Sequence, residues 1–369
     1  MAEWRKVTVA DVGKIITGKT PKTANPEYYG GNIPFLTPSD DMEVKYVRKT
    51  NKYITELGQS SVKNVTLPEG AVCVSCIGSN LGKVTITTEK TITNQQINSI
   101  IVDKEKYDVD FIYYAMLILG KTLNYHSKIS TAVPIINKST FSQYEIVCPE
   151  LEEQRRISSV LSTIDDKIEE NERINNNLQQ QAMAIYTSLF IEKPNPKWEI
   201  GQLSDLIEVK YGKDHKKLAD GVYPVYGSGG IMRYVERPIY TGESVLIPRK
   251  GTLNNVMYVN GAFWSVDTMF FTEMLRPNVA KFVYHFVKSK DIASLNAGSA
   301  VPSMTTNILN AMQLRIPDDD TLCTFENIVS PMYETMQENE RQSSNLALVR
   351  DALLPKLISG ELDVSDIDL

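Results

Sequence analysis

From residue 151 onward the apolar positions fall into steps of four and three: Ile157, Leu161, Ile164, Ile168, Leu178, Ala182, Ile185 and Leu189. A seven-residue repeat of this kind is the seam of a helix packed along a single partner helix. Polar residues interrupt it, because Asn171 and Asn175 stand where apolar ones are due. The ladder returns 168 residues later as Phe325, Val329, Met332, Met336, Asn339, Ser343, Leu346, Arg350, Leu353 and Leu357. The interruption returns with it, since Glu170-Asn171-Glu172-Arg173 becomes Glu338-Asn339-Glu340-Arg341. Upstream, Ala132-Val133-Pro134 and Pro149 recur at the same offset as Ala300-Val301-Pro302 and Pro317. The chain is a duplication. Pairing the two helices antiparallel sets Asn175 level with Asn339 and Asn171 level with Ser343; parallel pairing aligns the polar positions as well.

Between the helical stretches the pattern changes to short β-branched runs separated by Gly, Asn and Pro, which predicts strands and turns. The runs are 71–77, 84–88 and 98–102 in the first copy, and 244–247, 256–259 and 269–272 in the second. Each copy then carries a short helical stretch (111–123 and 280–288), and a last strand (144–148 and 313–316) leads into its long helix. The fold class expected is α+β: two similar domains separated by two long helices that form an antiparallel coiled coil. The predicted boundaries are 1–150, first domain; 151–191, first helix; 192–317, second domain; and 318–369, second helix with an acidic tail. Trp4, Asp11, Gly18 and Lys19 recur as Trp198, Asp205, Gly212 and Lys213 at an offset of 194, so the first domain holds about 26 extra residues. Pro194 and Pro196 mark a linker. Gly360 is placed to cap the second helix, and Pro331 and Pro355 predict that this helix is kinked or shorter than the first.

The formal net charge of −6 is unevenly spread. Residues 1–150 and 192–317 carry +2 and +4, whereas 151–191 and 318–369 carry −3 and −9. The domains suit a polyanion better than the helices do, although acidic solvated helix surfaces would give the same count. No apolar run reaches the ~18 residues a membrane span needs, and four cysteines without a secretory signal point to reduced thiols and a cytoplasmic location. Cys73 and Cys76 lie in a strand-like run, where residues three apart face opposite sides, so they do not form half of a zinc site.

The sequence offers no catalytic constellation. It has no phosphate-binding loop of the G-x-x-x-x-G-K-S/T kind, no Asn/Asp-Pro-Pro-aromatic motif, and no glycine-rich strand–helix turn for an adenosyl cofactor. His126, His215 and His285 are scattered. What stands out is a set of polar, flexible, basic segments at matching places in the two copies. In the first they supply Lys19, Thr20, Ser39, Ser79, Asn80, Lys83, Asn94, Gln95 and Gln96 as candidate DNA contacts. The second supplies Lys213, Lys216, Lys217, Tyr226, Ser228, Arg233, Arg249, Lys250 and Asn254. Asn, Gln, Arg and Lys present the donors and acceptors that base edges require, and Gly-flanked backbone approaches phosphates closely. Any one segment is equally an ordinary turn; the recurrence with different side chains suggests two equivalent readers of different specificity.

Over its full length the chain resembles the specificity subunits of Type I restriction–modification systems. The resemblance rests on the order domain–helix–domain–helix and on Val133-Pro134 with Pro149-Glu150-Leu151-Glu152-Glu153-Gln154-Arg155-Arg156-Ile157 entering the first helix. It rests further on Leu353-Leu354-Pro355-Lys356-Leu357-Ile358-Ser359-Gly360-Glu361-Leu362 at the end of the second, and on the Trp-led opening of each domain. The second copy departs from the pattern, with Asp318-Asp319-Asp320-Thr321-Leu322 in place of Glu150-Leu151-Glu152-Glu153-Gln154. The resemblance implies a non-catalytic subunit whose two domains each read half of a split double-stranded DNA site. The helix pair would set the spacer and dock modification subunits, two being expected, which carry S-adenosylmethionine; this chain would hold no cofactor or metal. Restriction subunits would be optional further partners. A helix of ~38 residues spans about 57 Å, enough to hold readers one DNA turn apart. Two other classes stay open on sequence alone: an enzyme acting on DNA itself, and a coiled-coil adaptor with protein- or glycan-binding domains.

Overall fold

The computed structural model describes residues 4–129, 135–294 and 303–364. The repeated Ala132-Val133-Pro134 and Ala300-Val301-Pro302, and the tail from residue 365, lie outside the described residues. The chain divides into two compact units, Met1–Asn171 with Glu340–Leu369, and Glu172–Asn339. No helix among the described residues is long and apolar enough to cross a membrane.

In the first unit a five-stranded sheet runs in the order Gly13–Thr17, Ile97–Val102, Val72–Ser75, Val84–Thr87, Tyr46–Val47. Because side chains alternate across a strand, Val72 and Val74 enter one core and Cys73 the other. Cys76 lies with Val72 and Val74, so the two cysteines face opposite sides as their spacing predicts. The helix Val109–Ile129, longer than its sequence pattern suggested, covers one face with Phe111, Ile112, Ala115 and Met116. A second sheet orders Tyr53–Ile54, Tyr29–Leu36, Thr91–Thr93 and Thr66–Leu67. The second unit has one six-stranded sheet, in the order Ile207–Tyr211, Met269–Met274, Tyr240–Pro248, Met257–Ser265, Asp220–Gly227, Gly230–Val235. The helix Ala280–Lys288 lies against it, buried through Phe282, Val283, Phe286 and Val287.

The backbone hydrogen bonds fix which residues correspond. Lys19 N–H donates to Thr93 O and Lys213 N–H to Ser265 O, both at 2.8 Å. Gly18 and Gly212 are 194 residues apart and Thr93 and Ser265 are 172 apart, so most of the extra length of the first copy falls between them. That stretch contains the helix Glu56–Ser61 and the short strands Tyr53–Ile54 and Thr66–Leu67.

The first long helix, Leu151–Tyr186, continues as a π-helical turn, Thr187–Glu192. The second, Asp319–Ile358, is capped at Gly360, whose φ is +76° and whose N–H donates to Leu357 O. In the first unit Ile157 and Leu161 pack with Leu354 and Leu357. There Arg350 donates to Asp165 at 2.7 Å, and Asn171 Nδ2 donates to Gln342 Oε1 at 2.8 Å and Ser343 Oγ at 3.2 Å. In the second unit Asn339 Nδ2 donates to Asn175 Oδ1 at 2.8 Å, Asn175 Nδ2 donates to Met336 O at 3.0 Å, and Tyr186 packs on Phe325. Within each unit the numbering rises on one helix as it falls on the other. The pair is therefore antiparallel, with its polar positions meeting at the predicted levels.

The second helix runs unbroken through its prolines for 40 residues, against 36 α-helical residues and a six-residue π-turn in the first. Proline removes the N–H that would serve the carbonyl four residues earlier. Pro331, Pro355 and the residues bearing those carbonyls, Asn327 and Asp351, are all exposed, so both prolines lie on the solvent side of the helix. The altered helix entry of the second copy also has a local reason. Buried Gln154 donates to Pro149 O at 2.8 Å and accepts from Asp108 N–H at 2.9 Å, tying the helix start to the domain helix. In the second copy apolar Leu322 is buried instead, and Asp318 caps the helix by accepting from Thr321 N–H and Trp198 Nε1–H, each at 2.8 Å.

Candidate nucleic-acid interface

The four candidate segments of the first copy converge at one edge of its sheets. Gly18–Lys19 leaves the strand Gly13–Thr17 and is held by Ile97 O and Thr93 O. A Cβ on Gly18 would collide with the carbonyl oxygens of Thr93 and Asn94, so glycine is required for this approach. Asn94 N–H donates to Leu36 O, bringing in the loop that carries Ser39, and Cys76 N–H donates to Gln96 O, bringing in the loop that carries Ser79 and Asn80. Asn80 Nδ2 closes the ring by donating to Pro38 O at 2.7 Å.

The second copy repeats this bracket bond for bond. Gly212 and Lys213 are held by Met269 O and Ser265 O, and a Cβ on Gly212 would collide with Ser265 and Val266 carbonyls. Val266 N–H donates to Tyr226 O, and Arg249 N–H donates to Thr268 O. Asn255 Nδ2 donates to Ser228 O at 2.8 Å, as Asn80 does to Pro38. Parallel strand pairs underlie both brackets, Leu36 with Thr93 and Tyr226 with Ser265.

Within each bracket the candidate side chains differ in freedom. Lys19, Lys213, Lys216, Lys217 and Lys250 are exposed, and among the described residues no carboxylate lies within ion-pair distance of them. Thr20 Oγ1 donates to the exposed Gln95 Oε1 at 2.7 Å, and Ser39 Oγ shares a hydrogen bond with Thr37 Oγ1. Asn94 is buried and donates to Gln96 Oε1 at 2.9 Å. Lys83 pairs with Glu43 at 3.1 Å. Tyr226 sets its ring edge-on to Phe263, and Ser228 offers its carbonyl to Asn255. Arg233 is tied to Asp220 at 2.8 Å and Leu218 O at 2.9 Å, where it holds a hairpin. Asn254 is spent on the loop itself, donating to Asp291 Oδ1 at 3.1 Å and accepting from Ala293 N–H at 3.0 Å. The side chain of Ser79 lies outside the described atoms.

Sequence reasoning passed over two residues here. Asn255, not its neighbour Asn254, is the second clamp, and adjacent asparagines are indistinguishable until the turn is known. Tyr211, half exposed, carries the Arg249 guanidinium over its ring at 5.3 Å; the only signal was an aromatic residue before Gly212-Lys213. Among the described residues no group of three or more His, Cys, Asp and Glu is arranged to hold a metal ion.

Paired brackets of this kind on antiparallel helices define a two-domain recognition protein. A family model for the Type I restriction modification DNA specificity domain matches residues 1–180 and 195–337. The chain belongs to this family, whose members are DNA-specificity subunits and not the catalytic components. It is 26% identical over 414 aligned residues to the Type I restriction enzyme MjaIX specificity subunit of Methanocaldococcus jannaschii, covering 99% of this chain and 95% of the relative. It is 34% identical to the HindI specificity subunit of Haemophilus influenzae over 178 residues, 46% of this chain and 38% of that one. The crystal structure of the Type I restriction–modification S subunit from M. genitalium shares the fold, with a TM-score of 0.61 at 19% identity and 96% coverage of both chains.

Proposed function

We propose that each domain, 1–150 and 192–317, reads one half of a bipartite double-stranded DNA site with its bracket of four loops. The helix pair sets the spacer between the halves and docks two modification subunits. Those subunits bring S-adenosylmethionine, this chain binding no cofactor of its own; the assembly is cytoplasmic, and restriction subunits are optional further partners. The observation that carries the reading is the repetition of one backbone bracket with two different sets of side chains. Equivalent brackets give both domains the same way of approaching a duplex, and different side chains give each its own sequence. Exposed lysines at the equivalent positions 19 and 213 supply sequence-independent attraction to phosphate.

The test is salt-dependent, sequence-selective binding by the full chain co-expressed with modification subunits. Affinity for one interrupted duplex sequence is expected to fall linearly on a log–log plot against salt, with Lys19→Ala and Lys213→Ala each lowering the slope by about one. Binding that is indifferent to salt and to sequence would remove DNA as the ligand.

A further inference from the structure

The two brackets can be compared residue by residue, and they differ most sharply at one spot. Arg249 corresponds to Cys76, since Arg249 O accepts from Met304 N–H as Cys76 O accepts from Ile136 N–H, both at 3.0 Å. Tyr211 corresponds to Thr17, and Phe270 to Asn98, because the strand pairs place Tyr211 opposite Phe270 and Thr17 opposite Asn98. In the first unit these positions are short and turned inward: Thr17 Oγ1 donates to Asn98 Oδ1 at 2.6 Å, Asn98 donates to Ile136 O, and Cys76 is buried. In the second unit Phe270 is likewise buried, while Tyr211 is half exposed and Arg249 partly exposed. Tyr211 stands edge-on to Phe270 with ring centroids 5.0 Å apart, and the Arg249 guanidinium carbon lies over the Tyr211 ring, 5.3 Å from its centroid.

The root of Arg249 is fixed by backbone bonds on both sides, to Thr268 O and from Met304 N–H. Its side chain makes one long bond, Nη1 to Asp267 O at 3.4 Å, and no ion pair among the described residues. Most of its five N–H donors are thus held in a planar fork without a protein acceptor. A guanidinium fork matches O6 and N7 of guanine in the major groove, the commonest specific Arg contact. Cation–π attraction to the Tyr211 ring restricts the fork before binding, which lowers the ordering cost of making that contact.

We infer that Arg249, positioned by Tyr211, reads a guanine in the half-site taken by the second domain, and that the first domain has no such contact. The inference rests on the DNA-reading function proposed above. It fixes one base pair as G·C in one half-site only, and it makes Tyr211 a positioning residue.

The experiment selects DNA from a library randomised across both half-sites, using the full chain co-purified with modification subunits, and sequences the retained pool. The wild type should retain one guanine, favoured on the order of tenfold to a hundredfold, in one half-site. Arg249→Ala should leave that position nearly random while every other position stands. Arg249→Lys should do the same and keep the salt dependence, because lysine retains the charge and loses the fork. Tyr211→Ala should weaken the guanine preference in part, and Tyr211→Phe should restore it. The inference is overturned if Arg249→Ala or Arg249→Lys still retains the guanine, or if either variant weakens all positions alike. A wild-type pool with no preferred sequence would instead overturn the proposed function itself, and the inference with it.

Discussion

His285 offers a test of the second unit's interior in which both sign and size follow from the packing. Its ring is fully buried on the helix Ala280–Lys288, stacked on Tyr186 at 5.4 Å and edge-on to Phe325 and Tyr333. Nε2 lies 2.9 Å from the Tyr333 hydroxyl, and Nδ1 has no hydrogen-bond partner among the described residues. Two cations, Lys281 and Lys288, share its helix. Burial, with a smaller contribution from Lys288, pushes the imidazole from 6.5 down to about 4. An imidazole held neutral in the fold binds its proton more readily when unfolded, so acid favours unfolding. The contribution is fully present above pH ~6.5, is lost as the pH falls from there to about 4, and amounts to about 3 kcal/mol in total. About 2 kcal/mol of this should be gone by pH 4.5. Urea unfolding of the full chain at pH 7, 5.5 and 4.5 measures it, with His285→Phe as the reference that cannot titrate. The variant should be the less stable protein at pH 7, where it leaves the Tyr333 hydroxyl without its partner, and the difference should close or reverse by pH 4.5. Carboxylates titrate in both proteins and cancel in the comparison. Two unfolding curves that shift in parallel over this range would refute the claim that the fold keeps His285 neutral.

Buried Lys281 bridges Glu243 at 2.9 Å and Glu326 at 2.5 Å, so Lys281→Met strands two carboxylates and should cost about 3–5 kcal/mol in denaturant unfolding. A loss below ~1 kcal/mol would show that water reaches the pair. Replacing Asn171, Asn175 and Asn339 by Leu exchanges hydrogen bonds worth ~1 kcal/mol each for apolar burial worth somewhat more, so the thermal midpoint should rise while register and spacer fidelity loosen. A lower midpoint would place these residues outside the seam. Lys250→Ala, at an exposed site, should weaken DNA binding alike for all sequences and lower the salt slope by about one. A change confined to one base position would make Lys250 a reader instead of an anchor.

The long helices and the duplication were legible because their signal is periodic: a seam repeats every seven residues whatever the loops do. The helix 280–288 has no polar face to mark its period, since every residue from Ala280 to Val287 is buried. The second sheet of the first unit was not legible, because Tyr53–Ile54 and Thr66–Leu67 are two-residue strands defined by their partners and not by any local pattern. The candidate interface was legible as a set of segments but not as a site. That Lys19 lies beside Thr93 depends on a carbonyl-directed bond between residues 74 positions apart. Side-chain roles were the least legible. Arg233 and Asn254 have the composition of readers, and the fold uses them to hold a hairpin and a loop.

The same contrast between backbone and side chain explains how a duplicated protein can diverge in what it recognises without losing its architecture. Matching Phe111 with Phe282 and Tyr113 with Tyr284 along the two domain helices sets Asp110 against Lys281. Asp110 is held by Lys45 at 3.3 Å, whereas Lys281 carries the opposite charge and is held by Glu243 and Glu326. Tyr114 donates to Asp165 at 2.6 Å, while the equivalent pair is His285 with Tyr333. Each clasp ties a domain helix to a long helix at the same level; the charged groups are exchanged between the two, while a serine, Ser162 in one and Ser330 in the other, is kept. Such exchanges are tolerated because each cluster lies inside its own unit, so a substitution is compensated by near neighbours. The brackets follow the opposite rule. They are built mainly from N–H and C=O groups, which every residue other than proline supplies, together with one glycine per copy that no other residue can replace at that approach. Side chains projecting from them are free to change, as Cys76 and Arg249 show on equivalent backbone. A scaffold whose conserved geometry is carried by the main chain can therefore alter its reading of a base by single substitutions, while the frame that presents the reader stays fixed.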